Sequence, residues 1–187
     1  MYLVQKNRVY LMETTKEAAL RQIKSYVENQ KQNWYKVKEA EVEVSLVKDN
    51  YILNGTIDLV QGEGDTVEII DFKSEKKPDL FNERDRIEHY KKQLEVYAHL
   101  VEKRMGLEVN KMHLYYTGEQ SGNPYITFVK NNVSIDNTIK TFDKIVERIE
   151  NRDFVITKRP KKHCRNCDMR FYCDNKDRKG ELISGKQ

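Results

Sequence analysis

Two aspartates and a lysine stand where buried strands are expected to carry only apolar side chains. They lie in GTIDLVQGEGDTVEIIDFKSEKKP, residues 55–78. Asp58 and Asp71 each interrupt an apolar run, and Lys73 follows Asp71 by two positions. Leaving both carboxylates ionised and unpaired in a core would cost on the order of several kcal/mol each. A divalent cation removes that cost. Carboxylate oxygens, with waters in the remaining positions, suit Mg²⁺ or Mn²⁺. Such an ion polarises a phosphoryl oxygen and acidifies a bound water. A neighbouring lysine can orient that water and stabilise charge developing on the phosphate.

The acid-x-lysine pattern is not specific. It occurs four times, at Asp71–Lys73, Glu75–Lys77, Asp174–Lys176 and Asp177–Lys179. Alone it describes a surface ion pair of little energetic weight. Only the first falls in an expected buried strand, and only it faces a second aspartate across a hairpin. Side chains alternate along a strand, so Asp71 and Lys73 share a face, as would Asp58 with Thr56 and Asn54. A two-residue loop at Glu63–Gly64, or a four-residue loop at 62–65, sets Asp58 opposite Ile69 and Asp71 opposite Thr56. In that register all three charged side chains converge. The two aspartates become diagonal neighbours, with Cα atoms roughly 7–8 Å apart.

The elements that must hold these residues are legible from periodicity. Thr14 or Thr15 can cap a first helix, with Glu17 completing a capping box around Thr14. That helix runs to about Asn33, with Ala19, Ile23, Tyr26 and Val27 on one side. Three strands follow at 39–47, 51–61 and 66–73, separated by turns at Asp49–Asn50 and 62–65. After a loop containing Pro78, a helix from about Glu83 to Met105 carries Ile87, Tyr90, Leu94, Tyr97 and Val101 at the spacing of a buried stripe. Gly106 ends it. Strands are expected in EVNKMHLYYTG and NPYITFVKN. A last amphipathic helix, capped by Ser134, presents Ile135, Ile139, Phe142, Val146 and Ile149. The order α-β-β-β-α-β-β-α indicates an α/β (α+β) fold, a mixed sheet flanked by helices.

Composition bounds the class. The 187 residues, 34% charged and 10% aromatic, suit one domain with a real core, spanning 1–187. No apolar stretch approaches the ~20 residues that span a bilayer, and the first residues lack a signal peptide's apolar region. A cytoplasmic protein with no membrane association is expected. The net charge is +4, but from Lys158 to Lys179 nine Lys/Arg stand against three Asp. A basic tail of this kind favours a polyanionic partner. The three cysteines, Cys164, Cys167 and Cys173, sit within ten residues, inside a tail motif at 160–175. An odd, clustered set suits a metal or cluster site better than a disulfide framework.

GTID, IIDFK and QLEVY, in that order, resemble the RecB-type branch of the PD-(D/E)XK nuclease superfamily. Its pattern is G-x-x-D, D-x-K, then Q-x-x-x-Y on the following helix. Gln93 and Tyr97 are four residues apart and share a helix face. The resemblance implies a restriction-endonuclease-like core and Mg²⁺- or Mn²⁺-dependent hydrolysis of DNA. It implies Asp58 and Asp71 as metal ligands with the Phe72 backbone carbonyl, Lys73 as the catalytic lysine, and Gln93 and Tyr97 as DNA-binding residues that contact the strand near the scissile phosphate or buttress the site. Glu41 is an extra candidate ligand on the preceding strand, where a solvated glutamate is the plainer alternative. Lys158, Arg159, Lys161 and Lys162 could track a single-stranded DNA backbone.

The tail HCRNCDMRFYC is similar to relatives in which three cysteines and a fourth, upstream, hold a [4Fe–4S] cluster; thiolates suit such a cluster. Zinc with His163 as fourth ligand, and free thiols, are the alternatives. No histidine precedes Asp58, where the family's metal-binding histidine stands, and the upstream cysteine is missing too. The expectation is a C-terminal piece of a longer protein that acts in DNA repair or recombination and follows a superfamily 1 helicase. A catalytically inactive module that binds DNA or docks a helicase partner is the rival.

Overall fold

The computed structural model describes residues 12–153. Two compact units divide the chain, Met1–Val146 and Glu147–Gln187. The sheet and everything around Asp71 belong to the first; of the second, only 147–153 are described. The order of elements follows the sequence pattern. Helix α1 spans Glu13–Gln30, followed by a 3₁₀ turn at Trp34–Lys36. Strands β1 (Val37–Val47), β2 (Ile52–Glu63) and β3 (Thr66–Lys73) lead to α2 (Arg84–Met105). Then come β4 (Glu108–Tyr116), β5 (Tyr125–Val129) and α3 (Asn132–Glu150).

The five strands form one mixed sheet in the order β1-β2-β3-β4-β5. β3 and β4 are parallel, as the α2 crossover between them requires, and the other pairs are antiparallel. One face carries the larger core. Val60, Val67, Ile69 and Leu114 of the sheet meet Leu94, Leu100 and Val101 of α2 and Ile135 and Ile139 of α3. The other face carries a smaller core of Leu59, Ile70 and Tyr115, with Tyr26 of α1 and Phe72 packed on it. The aromatic rings there meet edge to face, Tyr26 to Tyr115 at 5.0 Å and Tyr26 to Phe72 at 5.1 Å.

Both expected threonine and serine caps are corrected. α1 begins at Glu13 after Met12, with no side-chain cap, so Thr14 and Thr15 lie inside the helix. In α3 the capping oxygen belongs to Asn131, whose Oδ1 accepts the Ser134 N–H at 3.0 Å. Ser134 Oγ turns instead to Glu95. The inward side of α1 is also corrected. Tyr26 packs inward, but Ile23 is 59% exposed and Val27 40%. Besides Tyr26, polar residues reach the sheet: buried Gln30 donates to Tyr125 Oη at 2.6 Å. A core built on tyrosine hydroxyls needs polar partners, and α1 supplies them.

The hairpin register differs from expectation by two residues. Glu63 pairs with Thr66 and Leu59 with Ile70, so the loop is Gly64–Asp65. Gly64 adopts φ +58, which L-residues rarely take. A slip of two preserves which side each residue faces, so the convergence of the charged residues survives. The next step of this register sets Asp58 opposite Asp71, rather than diagonal to it.

Candidate functional site

The sheet forks at Asp58 and Asp71. β2 pairs with β3 only from Leu59 to Glu63, while its earlier residues continue along β1 as far as Ile52. β3 beyond Ile70 pairs with β4, through Lys73 opposite Tyr116. The two aspartates therefore stand at the opening between two diverging ribbons.

Strand β2 also changes its facing here. Ile57 and Val60 both enter the larger core, whereas Leu59 enters the smaller one. Strict alternation cannot do this, so the side switches at Asp58. Glu41, at the matching point of β1 between the pairs Ala40–Leu59 and Val42–Ile57, takes φ +54. That is an uncommon conformation for glutamate and breaks the regular ladder. The expectation that Asp58 shares a face with the exposed Asn54 and Thr56 is corrected by this switch.

The side chains gather nonetheless. The Phe72 N–H donates to Asp58 Oδ2 at 2.6 Å, fixing that carboxylate against β3. The Phe72 ring points away into the smaller core. Asp71 is 5% exposed, and Lys73 Nζ lies 2.6 Å from its Oδ2. Among the described residues no other donor reaches that oxygen. From α2, Gln93 Nε2 reaches Asp71 Oδ1 at 3.4 Å and Tyr97 Oη at 2.8 Å, while Lys73 Nζ reaches Gln93 Oε1 at 3.4 Å. The Tyr97 ring lies on Gly55: a Cβ there would stand 2.7 Å from Tyr97 Cε1. This explains the glycine of GTID. It is the clearance through which the Gln93–Tyr97 face of α2 reaches the fork.

Burial pushes the Asp71 carboxyl above its ordinary value of 3.8. The Lys73 ammonium opposes that shift, and the Asp58 charge adds to it. Burying a carboxylate beside a second one is unfavourable unless a cation joins them. Asp58 and Asp71 are hard oxygen donors at the mouth of a fork, and among the described residues the buried Asp71 Oδ2 has no polar partner besides the Lys73 ammonium. This donor set fits Mg²⁺ or Mn²⁺ completed by water. Among the described residues no cluster of three or more His, Cys, Asp or Glu is placed to hold a metal. Glu41 is exposed, and no hydrogen bond or ion pair joins it to either aspartate.

The structure thus brings together Asp58, Asp71, Lys73, Gln93 and Tyr97, and leaves Glu41 at the margin. Lys158, Arg159, Lys161, Lys162, Cys164, Cys167 and Cys173 lie outside the described residues. Sequence reasoning missed four neighbours. Tyr90, assigned only to the buried stripe of α2, carries Lys73 Nζ 4.1 Å from its ring centroid. Its Oη reaches Glu75 Oε1 at 3.4 Å, and Glu75 pairs with Arg86. Tyr116 is fully buried, and among the described residues its hydroxyl has no hydrogen-bond partner. Burial, with the Glu75 and Tyr90 charges, pushes that hydroxyl up to about 12. The signal for Tyr90 was its place three before Gln93 and seven before Tyr97, on one helix face.

A family model described as the PD-(D/E)XK nuclease superfamily matches residues 3–174. Among curated proteins, none matches. Similar solved structures include that of SSO0001, 15% identical, at a TM-score of 0.47 over 87% of this chain and 71% of that one. A candidate exonuclease from Eubacterium rectale is 12% identical, at a TM-score of 0.47 over 82% of this chain and 65% of that one.

Proposed function

Since the chain belongs to the PD-(D/E)XK nuclease superfamily, we propose that it hydrolyses DNA phosphodiesters at the fork between β2 and β3, with Mg²⁺ or Mn²⁺ held by Asp58 and Asp71. The observation that carries this is the buried Asp71 oxygen, paired with Lys73 and opposed to a second carboxylate. When bound, the cation supplies Lewis acidity at the phosphate and lowers the pKa of a coordinated water.

The chain's own residues do the rest. Asp58 is fixed by the Phe72 N–H, so its free oxygen is oriented before any ligand arrives. Lys73 places a positive charge beside Asp71, where negative charge grows on the phosphate in the transition state. Gln93 joins Asp71, Lys73 and Tyr97, which limits their side-chain freedom and holds the lysine in reach of the phosphate. The products would carry 5′-phosphates, as in the family it resembles.

Single-stranded DNA, delivered by a helicase upstream or in a partner subunit, is the proposed substrate, in repair or recombination. The basic residues Lys158, Arg159, Lys161 and Lys162 would neutralise its phosphates. Cys164, Cys167 and Cys173 would hold a [4Fe–4S] cluster with a fourth ligand outside this chain. Iron and sulfide content after anaerobic purification tests that assignment against zinc. A cytoplasmic setting fits free thiolates of this kind.

Cleavage of a labelled single-stranded oligonucleotide with Mg²⁺ or Mn²⁺ tests the whole reading. Activity is expected in the intact chain, or in a longer natural form containing it, and is lost in Asp71→Asn. Turnover that persists in both Asp71→Asn and Lys73→Met would sink it. Salt-sensitive DNA binding with no turnover would instead support the docking module.

A further inference from the structure

Among the described residues the Lys73 ammonium has three neighbours, and only one of them competes with a metal. A cation at the fork would claim Asp71 Oδ2, the oxygen that Lys73 Nζ now pairs with at 2.6 Å. Two like charges cannot share that oxygen without strong repulsion in a buried site. The ammonium then depends on its other two neighbours. One is Gln93 Oε1, at 3.4 Å. The other is the face of Tyr90, 4.1 Å from Nζ to the ring centroid.

We propose that Tyr90 is the positioning residue for Lys73: its ring holds the ammonium over the fork while Asp71 turns to the cation. This rests on the nuclease reading above and deepens it. An aromatic face attracts a cation without offering an oxygen that could itself bind Mg²⁺. It therefore stabilises the lysine without adding a rival ligand. The ring is itself held. Its hydroxyl reaches Glu75, whose carboxylate pairs with Arg86, and Arg86 lies 5.9 Å from the same ring. Tyr90 is half-buried on α2, one helical turn before Gln93, so both supports of Lys73 come from one rigid element.

The test is a double-mutant cycle read by Mn²⁺ binding, followed by electron paramagnetic resonance on the intact chain. Lys73→Met removes the competitor and is expected to tighten Mn²⁺ binding. Tyr90→Leu returns Lys73 to Asp71 and is expected to weaken Mn²⁺ binding about three- to tenfold. In the Lys73→Met background, Tyr90→Leu is expected to change nothing. Tyr90→Phe, which keeps the ring, is expected to bind Mn²⁺ as the parent does.

Cleavage of a single-stranded oligonucleotide gives a second readout. In Tyr90→Leu, kcat is expected to fall about tenfold with KM within about twofold, and Tyr90→Phe restores it. If the leucine variant melts early, Tyr90→Met replaces it, since its thioether fills similar volume. A Tyr90→Leu effect that survives in Lys73→Met, or no effect in either background, overturns the proposal. Mn²⁺ binding unchanged by Asp71→Asn would overturn the nuclease reading itself, a result the Tyr90 variants cannot mimic.

Discussion

Among the described residues two carboxylates are nearly sealed from solvent, and they are treated in opposite ways. Glu95 is 2% exposed and Asp71 5%. Glu95, on α2, accepts from Ser134 Oγ and Thr138 Oγ1, each at 2.5 Å, one hydroxyl for each oxygen. Lys91 adds a positive charge 3.9 Å away. Asp71 has one long hydrogen bond from Gln93, one ammonium, and a second aspartate opposite. The first arrangement closes a helix–helix contact and leaves its acid nothing further to do. The second leaves capacity unused at the mouth of a fork. Burial alone marks neither as functional. The state of the individual oxygens distinguishes them.

The largest expected effect separates the two acids by activity. Asp71→Asn should reduce Mg²⁺-dependent cleavage of single-stranded DNA by about 10³-fold or more, because a ligand and its charge are lost together. Glu95→Gln should leave cleavage within about twofold, since it touches neither strand of the fork. Equal losses in both variants, measured at matched protein concentration, would erase the distinction drawn here.

Stability should reverse the ranking. Glu95→Ala removes the acceptor of two hydroxyls, the buried one of Thr138 and the half-buried one of Ser134, which costs roughly 2–3 kcal/mol. Asp71→Asn should instead raise the melting temperature at pH 7 by a few degrees. The sign follows from the raised Asp71 pKa. A carboxyl whose folded pKa exceeds the ordinary 3.8 binds more protons folded than unfolded. Its ionisation therefore costs stability as pH rises above 3.8, and costs nothing well below it. Melting curves at pH 7 and pH 3.5 should show the advantage of Asp71→Asn shrinking in acid. Mg²⁺ should stabilise the parent and not the asparagine variant.

How much of this the sequence carried depends on what sets each feature. β3 emerged at Thr66–Lys73, and α2 one residue from its start, because strong periodicity and clear turn residues mark both. The convergence of Asp58, Asp71 and Lys73 was legible because a slip of two residues does not change facing. The true register was not, since 62–65 offers glycines on both sides of one glutamate and several loops fit. The switch of sides at Asp58 left no sequence trace; it coincides with Glu41, across the β1–β2 ladder, taking φ +54, a conformation that a glutamate does not announce. The inward side of α1 was misjudged for a chemical reason. Isoleucine and valine at 23 and 27 suggested the buried side, but the tyrosines beneath α1 required Asn29 and Gln30. Tyr90 was visible as an aromatic at core spacing, and nothing in the sequence told that its ring meets an ammonium.

Gly55→Ala tests how tightly the fork depends on its clearance. The added methyl would stand 2.7 Å from Tyr97 Cε1 and 3.1 Å from Cδ1, so the ring must move. Overpacking of this kind costs about 1–3 kcal/mol. Tyr97 carries the hydrogen bond to Gln93, and Gln93 touches both Asp71 and Lys73. Cleavage should therefore fall about tenfold even at temperatures where the variant is fully folded. A variant that is destabilised yet cuts normally would show that Tyr97 is core packing only.

The smallest effect belongs to a third polar inclusion, on the opposite face of the same sheet. His113 is 8% exposed and pairs through Nδ1 with Thr127 Oγ1 at 2.9 Å, while its Nε2 lies 3.4 Å from Glu68 Oε2. Burial lowers its pKa below the ordinary 6.5, more than the Glu68 charge raises it. Burial pushes Glu68 up, but hydrogen bonds from Gln61 and Lys111 and the His113 charge outweigh it and hold Glu68 below its ordinary value. For both groups the unfolded chain binds more protons in acid, so both contribute stability that is lost as pH falls. The histidine share begins to go near pH 6.5, the glutamate share only near 4.5. Between pH 7.5 and 5.5 the histidine should therefore lower the melting temperature by about a degree or two. The opposing slope from Asp71 is removed by working in Asp71→Asn. Adding His113→Gln there should reduce the remaining slope, because glutamine keeps a polar group against Thr127 and cannot titrate; what is left is the share of His99, whose pKa burial and the Lys48 and Lys103 charges also lower. A slope unchanged by that substitution would assign the acid sensitivity elsewhere and leave the Glu68–His113 pair as packing. Like Glu95, that pair would then be a polar group the fold absorbs, in contrast to the one at Asp71 that it leaves available.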